Sequence, residues 1–474
     1  MTHRFLPVTD NGLTFDLNVR VDIQNPLAYF LSISFRMKPS HTHRSQEIRG
    51  NMDISSLTRI KDLLDPLIEH EARLRETTRG RYWYPLSLPT YGTAEILEAL
   101  DSMCSFKTSL AEKTQRFEQR FAQYQGCTDA VMVNSGSSAD LLLGLLLTNP
   151  LRPIIKSGDE VIVPVVTWPT QIWSMMMAGL TVKLVDVDPQ TLNVDLLDLE
   201  SAITERTRAL FLVHLMGNPC HMDRIRDLAR RHDLQIIEDC CEAMGASWEG
   251  TKVGNFGLGA AFSFFFSHHI TTMEGGMVTV NDEIAAEQLR ILRAHGWVRN
   301  VDPGRYELHR YPDIDKRYAF VNWGLNVRPT ELQAGFGLHQ IERAHAFGDR
   351  RQYLASHFNE FLLRRTPFLS MPRVEPKASP SWLALPLMIA RDAPFTRSEV
   401  TTYLENNGVE TRPIVAGNLA RHPVATRFAA FQDRPFAGAD VIHEQGFYIG
   451  LSPVQTDAMT DRMIDTFDQF LSKY

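Results

Sequence analysis

Four short stretches carry side chains whose types and spacing could do chemistry. Asn134-Ser-Gly-Ser-Ser138 lies where a short apolar strand, Ala130 to Val133, gives way to a helical run, Ala139 to Leu147. Small residues at such a junction let backbone amides face an anion, and the helix N-terminus favours negative charge. The stretch therefore reads as a phosphate cradle or as a plain capped turn. It has neither the Walker nor the dinucleotide glycine spacing, and no Ser flanked by Gly on both sides as a nucleophile elbow requires. Glu238-Asp-Cys-Cys-Glu242 follows the apolar run Gln235 to Ile237. An acid at the carboxyl end of a parallel strand lies where open α/β sheets bind ligands. Asp239 fits either an acid that keeps a cofactor ring nitrogen protonated or a helix N-cap.

His268 and His269 lie just after the aromatic strand Ala260 to Phe266. One histidine fits a general base and a pair could bind a metal, but no third ligand stands at motif spacing, so no metal is expected. Alone, His268 is equally an ordinary loop histidine. Trp168 follows a strand and reads as core or as a stacking platform for a flat ring. Gly254-Asn-Phe-Gly-Leu-Gly259 reads as a turn rather than a nucleotide loop.

These residues need a scaffold, and the pattern around them supplies one. Short apolar runs at Glu160–Pro164, Thr181–Val187, Ala209–Val213 and Gln235–Glu238 alternate with polar or helical stretches such as Met222–His232. That alternation predicts an α/β fold with a mostly parallel sheet covered on both faces. A long helix is expected over Ile341–Arg364, followed by a smaller α/β domain with strands at Trp382–Ile389, Val409–Ile414 and Gly446–Ile449. The expected divisions are an N-terminal extension over 1–83, a large domain over 84–340 and a small domain over 341–474. The extension contains one amphipathic segment, Ile54 to Leu74, reads as an added helical arm or as partly disordered chain, and has no chemistry assigned to it.

Composition narrows the classes. A hydrophobic fraction of 44% and a charged fraction of 22% are those of a globular chain rather than a disordered or fibrous one. The formal net charge of −7 lacks the basic footprint of a nucleic-acid binder. No apolar run reaches the roughly 18 residues of a membrane span, and the first ten residues lack a secretion signal. Five cysteines without C-x-x-C spacing fit a reduced, cytoplasmic protein with no membrane partner.

From about Tyr84 onward the ordered set of motifs resembles the sugar aminotransferase and dehydratase family of fold-type I pyridoxal-phosphate (PLP) enzymes. The stretches that carry the likeness are Tyr84-Pro-Leu-Ser87, Asn134 to Ala139, Val163-Pro-Val-Val-Thr-Trp168, Glu238 to Ala243, Ser263 to Gly276 and Leu325-Asn-Val-Arg-Pro-Thr-Glu331. Most members carry a lysine that tethers the cofactor just after the S-F-x-x strand. Here Ser263-Phe-Phe-Phe-Ser-His268 places histidine there, and no lysine occurs between Lys252 and Lys316. Histidine at that point resembles the subgroup that removes a sugar 3-hydroxyl. Ser267–Ile270, Met273–Gly276, Arg293–Trp297 and Arg412–Asn418 are similar to members acting on GDP-linked 4-keto-6-deoxymannose. Another His-type subgroup holds a cysteine-ligated [2Fe–2S] cluster downstream of this strand; this chain has no cysteine after Cys241, so no iron–sulfur cluster is expected.

The resemblance implies a homodimer with a shared active site, a PLP/PMP cofactor held without a covalent tether, and a nucleotide-linked 4-keto-6-deoxyhexose as substrate. It casts His268 as the base that moves a proton at the cofactor, and glutamate as the donor that restores the cofactor's amine. Asp239 would face the ring nitrogen, Trp168 would stack on the ring, and Gly136, Ser137 and Ser263 would hold the phosphate. Asn326 would complete the pocket from the partner, with Glu242 beside the ring and Arg299 and His295 as candidate substrate contacts. Two other readings stay open: a nucleotide-sugar 4-aminotransferase with an altered site, and a silent PLP-fold binding subunit.

Overall fold

The computed structural model describes the backbone of Thr2–Arg4, Val8–Asp10, Leu13–Arg20 and Ser32–Met37, and of residues 54–77, 81–299, 301–428, 431 and 434–474. Side chains are described for residues 57–71 and, within those ranges, from 81 onward. The chain divides into a unit over 1–51 and a unit over 52–474.

In the first unit, Leu13–Arg20 pairs antiparallel with Thr2–Arg4, Val8–Asp10 and Ser32–Met37. The expectation of a helical arm missed these strands, although Leu13-Thr-Phe-Asp-Leu-Asn-Val19 alternates apolar and polar residues with the strand period of two. The expected amphipathic helix does form, over Ile54–Thr77.

The second unit is built on a seven-stranded sheet. In chain order its strands are β1 (Asp129–Val133), β2 (Glu160–Pro164), β3 (Thr181–Val185), β4 (Thr207–Val213), β5 (Gln235–Asp239), β6 (Gly259–Ser263) and β7 (Gly276–Val280). Across the sheet the order is β1-β7-β6-β5-β4-β2-β3. β7 runs antiparallel to both neighbours, and the other pairs are parallel. The inner strands are buried along their length because helices cover both faces, as for every residue of β2 and β7, and they are mostly apolar. The fold class is the expected mostly parallel α/β sheet.

Helix α1 (Gly136–Leu147) starts immediately after β1, and α2 (Thr170–Met177) after β2. A third helix, α3 (Glu331–Arg365), is capped by Thr330 and Gln333 and begins earlier than the sequence pattern suggested, at Glu331 rather than Ile341. The Thr-x-x-Gln capping box marks the true start. A second, antiparallel sheet of Leu369–Ser370, Leu385–Ile389, Gly446–Ile449 and Thr411–Pro413 closes its own apolar core with Phe358, Phe447 and Phe467. Among the described residues, no helix is long and apolar enough to cross a membrane.

Candidate active site

The carboxyl ends of β4, β5 and β6 lie side by side, with Val213 opposite Asp239 and Asp239 opposite Ala261. The site is assembled on this edge.

Asp239 is the last residue of β5, which runs two residues beyond the apolar Gln235–Ile237 stretch. It is 3% exposed, and one carboxyl oxygen accepts the backbone N–H of Cys241 at 2.8 Å. No helix follows Asp239, so the N-cap reading does not hold. Strand alternation points Glu238 the other way. There it accepts from Gly254 and Phe256 N–H at 2.7 and 2.8 Å and meets His214 Nε2 at 3.1 Å. The glycine cluster is thus a turn wrapped on Glu238, as expected. Burial raises the Asp239 carboxyl, while the Cys241 bonds and the His214 charge pull it back down.

The turn after β1, the candidate phosphate cradle, is a capped helix start. Ser135 is the N-cap of α1 and accepts the Ser138 N–H at 3.2 Å. Gly136 packs so tightly on the end of β6 that a Cβ there would lie 2.6 Å from Ser263 Cβ and 3.1 Å from Cys241 Sγ. Gly136 and Ser137 on α1, Ser263 on β6 and the turn after Asp239 therefore converge. Trp168, on the turn between β2 and α2, is 57% exposed, which decides against a core role and leaves its indole face available.

His268 sits on the connection between β6 and β7. That loop closes on itself: Phe264 and Gly275 bond at 2.9 Å, Thr272 N–H reaches Phe264 O at 2.9 Å, and His268 N–H reaches Phe265 O at 3.0 Å. Its footing comes from α3 and from the link into the small sheet. Arg351 donates to the His268 carbonyl at 3.4 Å, and His269 Nε2 bonds the Ser381 carbonyl at 2.8 Å. Burial, with the Arg351 cation, pushes the half-buried His268 imidazole down to about 4, so it is neutral at neutral pH. Its Nδ1 is buried without a partner. Among the described residues neither His268 nor His269 belongs to a cluster of potential metal ligands.

Glu242 accepts the Met216 N–H at 2.7 Å and is pushed up to about 7, chiefly by burial and further by the charge of Asp239. Asn326 lies next to the cradle in its own chain, since Asn134 N–H bonds Val327 O at 3.1 Å; its exposed side chain accepts from Arg328. His295 and Arg299 are exposed on the segment after the helix Glu283–Arg293, and Arg299 stacks on Trp297 at 5.0 Å rather than joining the cradle. Sequence reasoning missed Arg351, His214 and Asp140. The first two lie far along the chain from what they support, and Asp140 looks like one polar residue in an apolar helix.

The donor set fits a phosphate-bearing aromatic ring with a basic ring nitrogen. A small-residue cradle at a helix start would take the phosphate, a buried acid the nitrogen and an exposed indole the ring face.

Residues 90–468 match the model of the DegT/DnrJ/EryC1/StrS aminotransferase family. The chain is 37% identical over 374 residues to the GDP-4-keto-6-deoxy-D-mannose 3-dehydratase of Yersinia pseudotuberculosis, covering 77% of this chain and 93% of that one. It is 34% identical over 386 residues to the dTDP-4-dehydro-2,6-dideoxy-D-glucose 3-dehydratase of Saccharopolyspora spinosa, covering 79% and 83%. Among solved structures, the E. coli GDP-4-keto-6-deoxy-D-mannose 3-dehydratase with bound hydrated PLP superposes with a TM-score of 0.75 at 32% identity, over 81% of this chain and 99% of that one.

Proposed function

The chain belongs to the DegT/DnrJ/EryC1/StrS aminotransferase family, and from that premise we propose that it is a PLP/PMP-dependent sugar 3-dehydratase. It removes the C-3 hydroxyl of a nucleotide-linked 4-keto-6-deoxyhexose, with His268 where most relatives carry the tethering lysine. The observation that carries this reading is an imidazole, its backbone carbonyl bonded by Arg351, on the loop leaving the strand next to Asp239.

When bound, the cofactor supplies an amine that condenses with the 4-keto group and a protonated ring that draws electrons. Asp239 holds the ring nitrogen's proton. Gly136, Ser137 and Ser263 bind the phosphate, and Trp168 stacks on the ring. His268 would take a proton at the cofactor's methylene carbon, a role suited to a base that starts neutral, and would return it to the departing 3-hydroxyl. Glu242, near half-ionised at neutral pH, sits beside the ring. Arg299 and His295 are exposed and available to a substrate anion. Glutamate would be the amino donor that restores the cofactor's amine.

The site is shared in a homodimer, with Asn326 reaching the neighbouring pocket. What supports this is the surface left open around the His268 loop, where Phe265 and Met273 are 44% and 40% exposed.

The test is to incubate the protein with PLP, glutamate and a panel of GDP-, CDP- and dTDP-linked 4-keto-6-deoxyhexoses. A 3-deoxy-4-keto sugar with released ammonia supports the dehydratase. A product that keeps the amino group supports a transaminase, and failure to bind PLP or PMP supports a silent subunit.

A further inference from the structure

Asp140, one turn into α1, is 1% exposed, yet it is not part of the apolar packing around it. One of its oxygens accepts the Thr170 hydroxyl at 3.3 Å, and the other, Oδ1, is buried with no hydrogen-bond partner. Carboxyl oxygens of Asp140 and Asp239 and the Cys241 sulfur all lie within 4.8 Å of one another. Two acids so close, in a water-poor site, cannot both ionise cheaply.

We propose that Asp140 and Asp239 form a dyad sharing a single proton, with Asp140 the neutral member, and that Asp140 is a positioning residue for the cofactor ring nitrogen. This rests on the proposal that PLP or PMP occupies the site.

The surroundings leave that proton no other home. Asp140 feels Asp239, whose charge and the burial of the site drive it well up. The Cys241 thiol faces both carboxyls and is itself pushed up, so it adds no charge at neutral pH. From α2 comes only the Thr170 hydroxyl. His214 acts on Asp239 from the far side. β1, β6, β7 and the helix Glu283–Arg293 meet α1 through apolar side chains such as Val131, Ala261, Val278 and Leu289. Among the described groups His214, bonded to Glu238, is the cation that reaches Asp239, and none acts on Asp140.

At working pH the dyad presents one negative charge to the protonated ring. As pH rises Asp140 can ionise in turn, adding a second charge near the ring and delaying loss of its proton. Asp239 alone could not do this.

Asp140→Asn keeps the shape and an N–H donor but cannot ionise. In the cofactor-free protein, an acid raised by folding stabilises below its unfolded value and loses that advantage as pH rises. Wild type should therefore lose apparent Tm relative to Asp140→Asn as pH rises above the ordinary carboxyl range, by roughly 1–2 °C for each tenfold change in the unfolding equilibrium. With PLP or PMP bound, the alkaline spectral transition of the ring should fall about one pH unit lower in Asp140→Asn. Parallel stability profiles, or coincident alkaline transitions, would overturn the dyad. If wild type binds neither PLP nor PMP, the cofactor reading fails instead, and the cofactor-free stability profile alone decides the dyad.

Discussion

The Arg351 guanidinium donates to the carbonyl oxygen of His268 at 3.4 Å while also holding the Leu383 and Leu451 carbonyls at 2.8 and 2.6 Å. One side chain from α3 thus ties the His268 loop to the small sheet, and its charge helps keep the imidazole unprotonated.

That tie sets a pH dependence. The folded His268 is held below its ordinary value, so its neutral form is favoured in the native state. The stability it contributes is complete above about 6.5 and is lost as pH falls toward about 4. The acid limb of kcat/KM should accordingly lie near pH 4–5 rather than 6.5. Arg351→Met should move that limb upward, whereas Arg351→Lys, which keeps the charge, should move it less. An acid limb at the same pH in all three proteins contradicts the coupling.

Replacing the base tests its role directly. His268→Asn should lower dehydration by about 10²–10⁴-fold while leaving cofactor affinity within a few-fold. His268→Lys should abolish dehydration and retain the cofactor through dialysis with a shifted absorbance, because an amine can tether it covalently. Full dehydratase activity in either variant excludes His268 as the base.

The cradle has no room for a methyl group. Gly136→Ala would press on Ser263 Cβ at 2.6 Å, and overpacking of this kind costs about 1–3 kcal/mol. Loss of PLP binding with a lowered Tm is expected, read by equilibrium dialysis and thermal melting. Unchanged affinity would place the phosphate elsewhere.

Asp239 and Trp168 should separate cleanly. Asp239→Ala should abolish the electron-sink chemistry even at saturating cofactor. Trp168→Ala should weaken cofactor binding by up to about tenfold through lost stacking, with kcat little changed once the cofactor is saturating. Spectral titration of each variant with PMP measures both.

The local order of this chain was legible. Apolar runs of strand length broken by helical stretches marked the strands of the large sheet up to β6, because a strand buried on both faces is mostly apolar. The positions of Asp239 and of the Asn134–Ser138 turn followed from where those strands end. The motif order pointed to the family, and the absence of lysine between Lys252 and Lys316 drew attention to His268.

Only the tertiary structure decided which side chains stand behind those residues. Strand order is set by how helices pack across the sheet, so nothing local announces that β5 lies between β4 and β6. Glu331 accepts the N–H groups of Ala111, Lys113 and Thr114 and so caps a helix some 220 positions earlier in the chain. Arg351 reaches back to His268 in the same way, and Asp140 meets Asp239 through the contact of α1 with the sheet. Such partners are chosen by three-dimensional proximity, whereas local sequence reports mainly on the next turn or two of backbone.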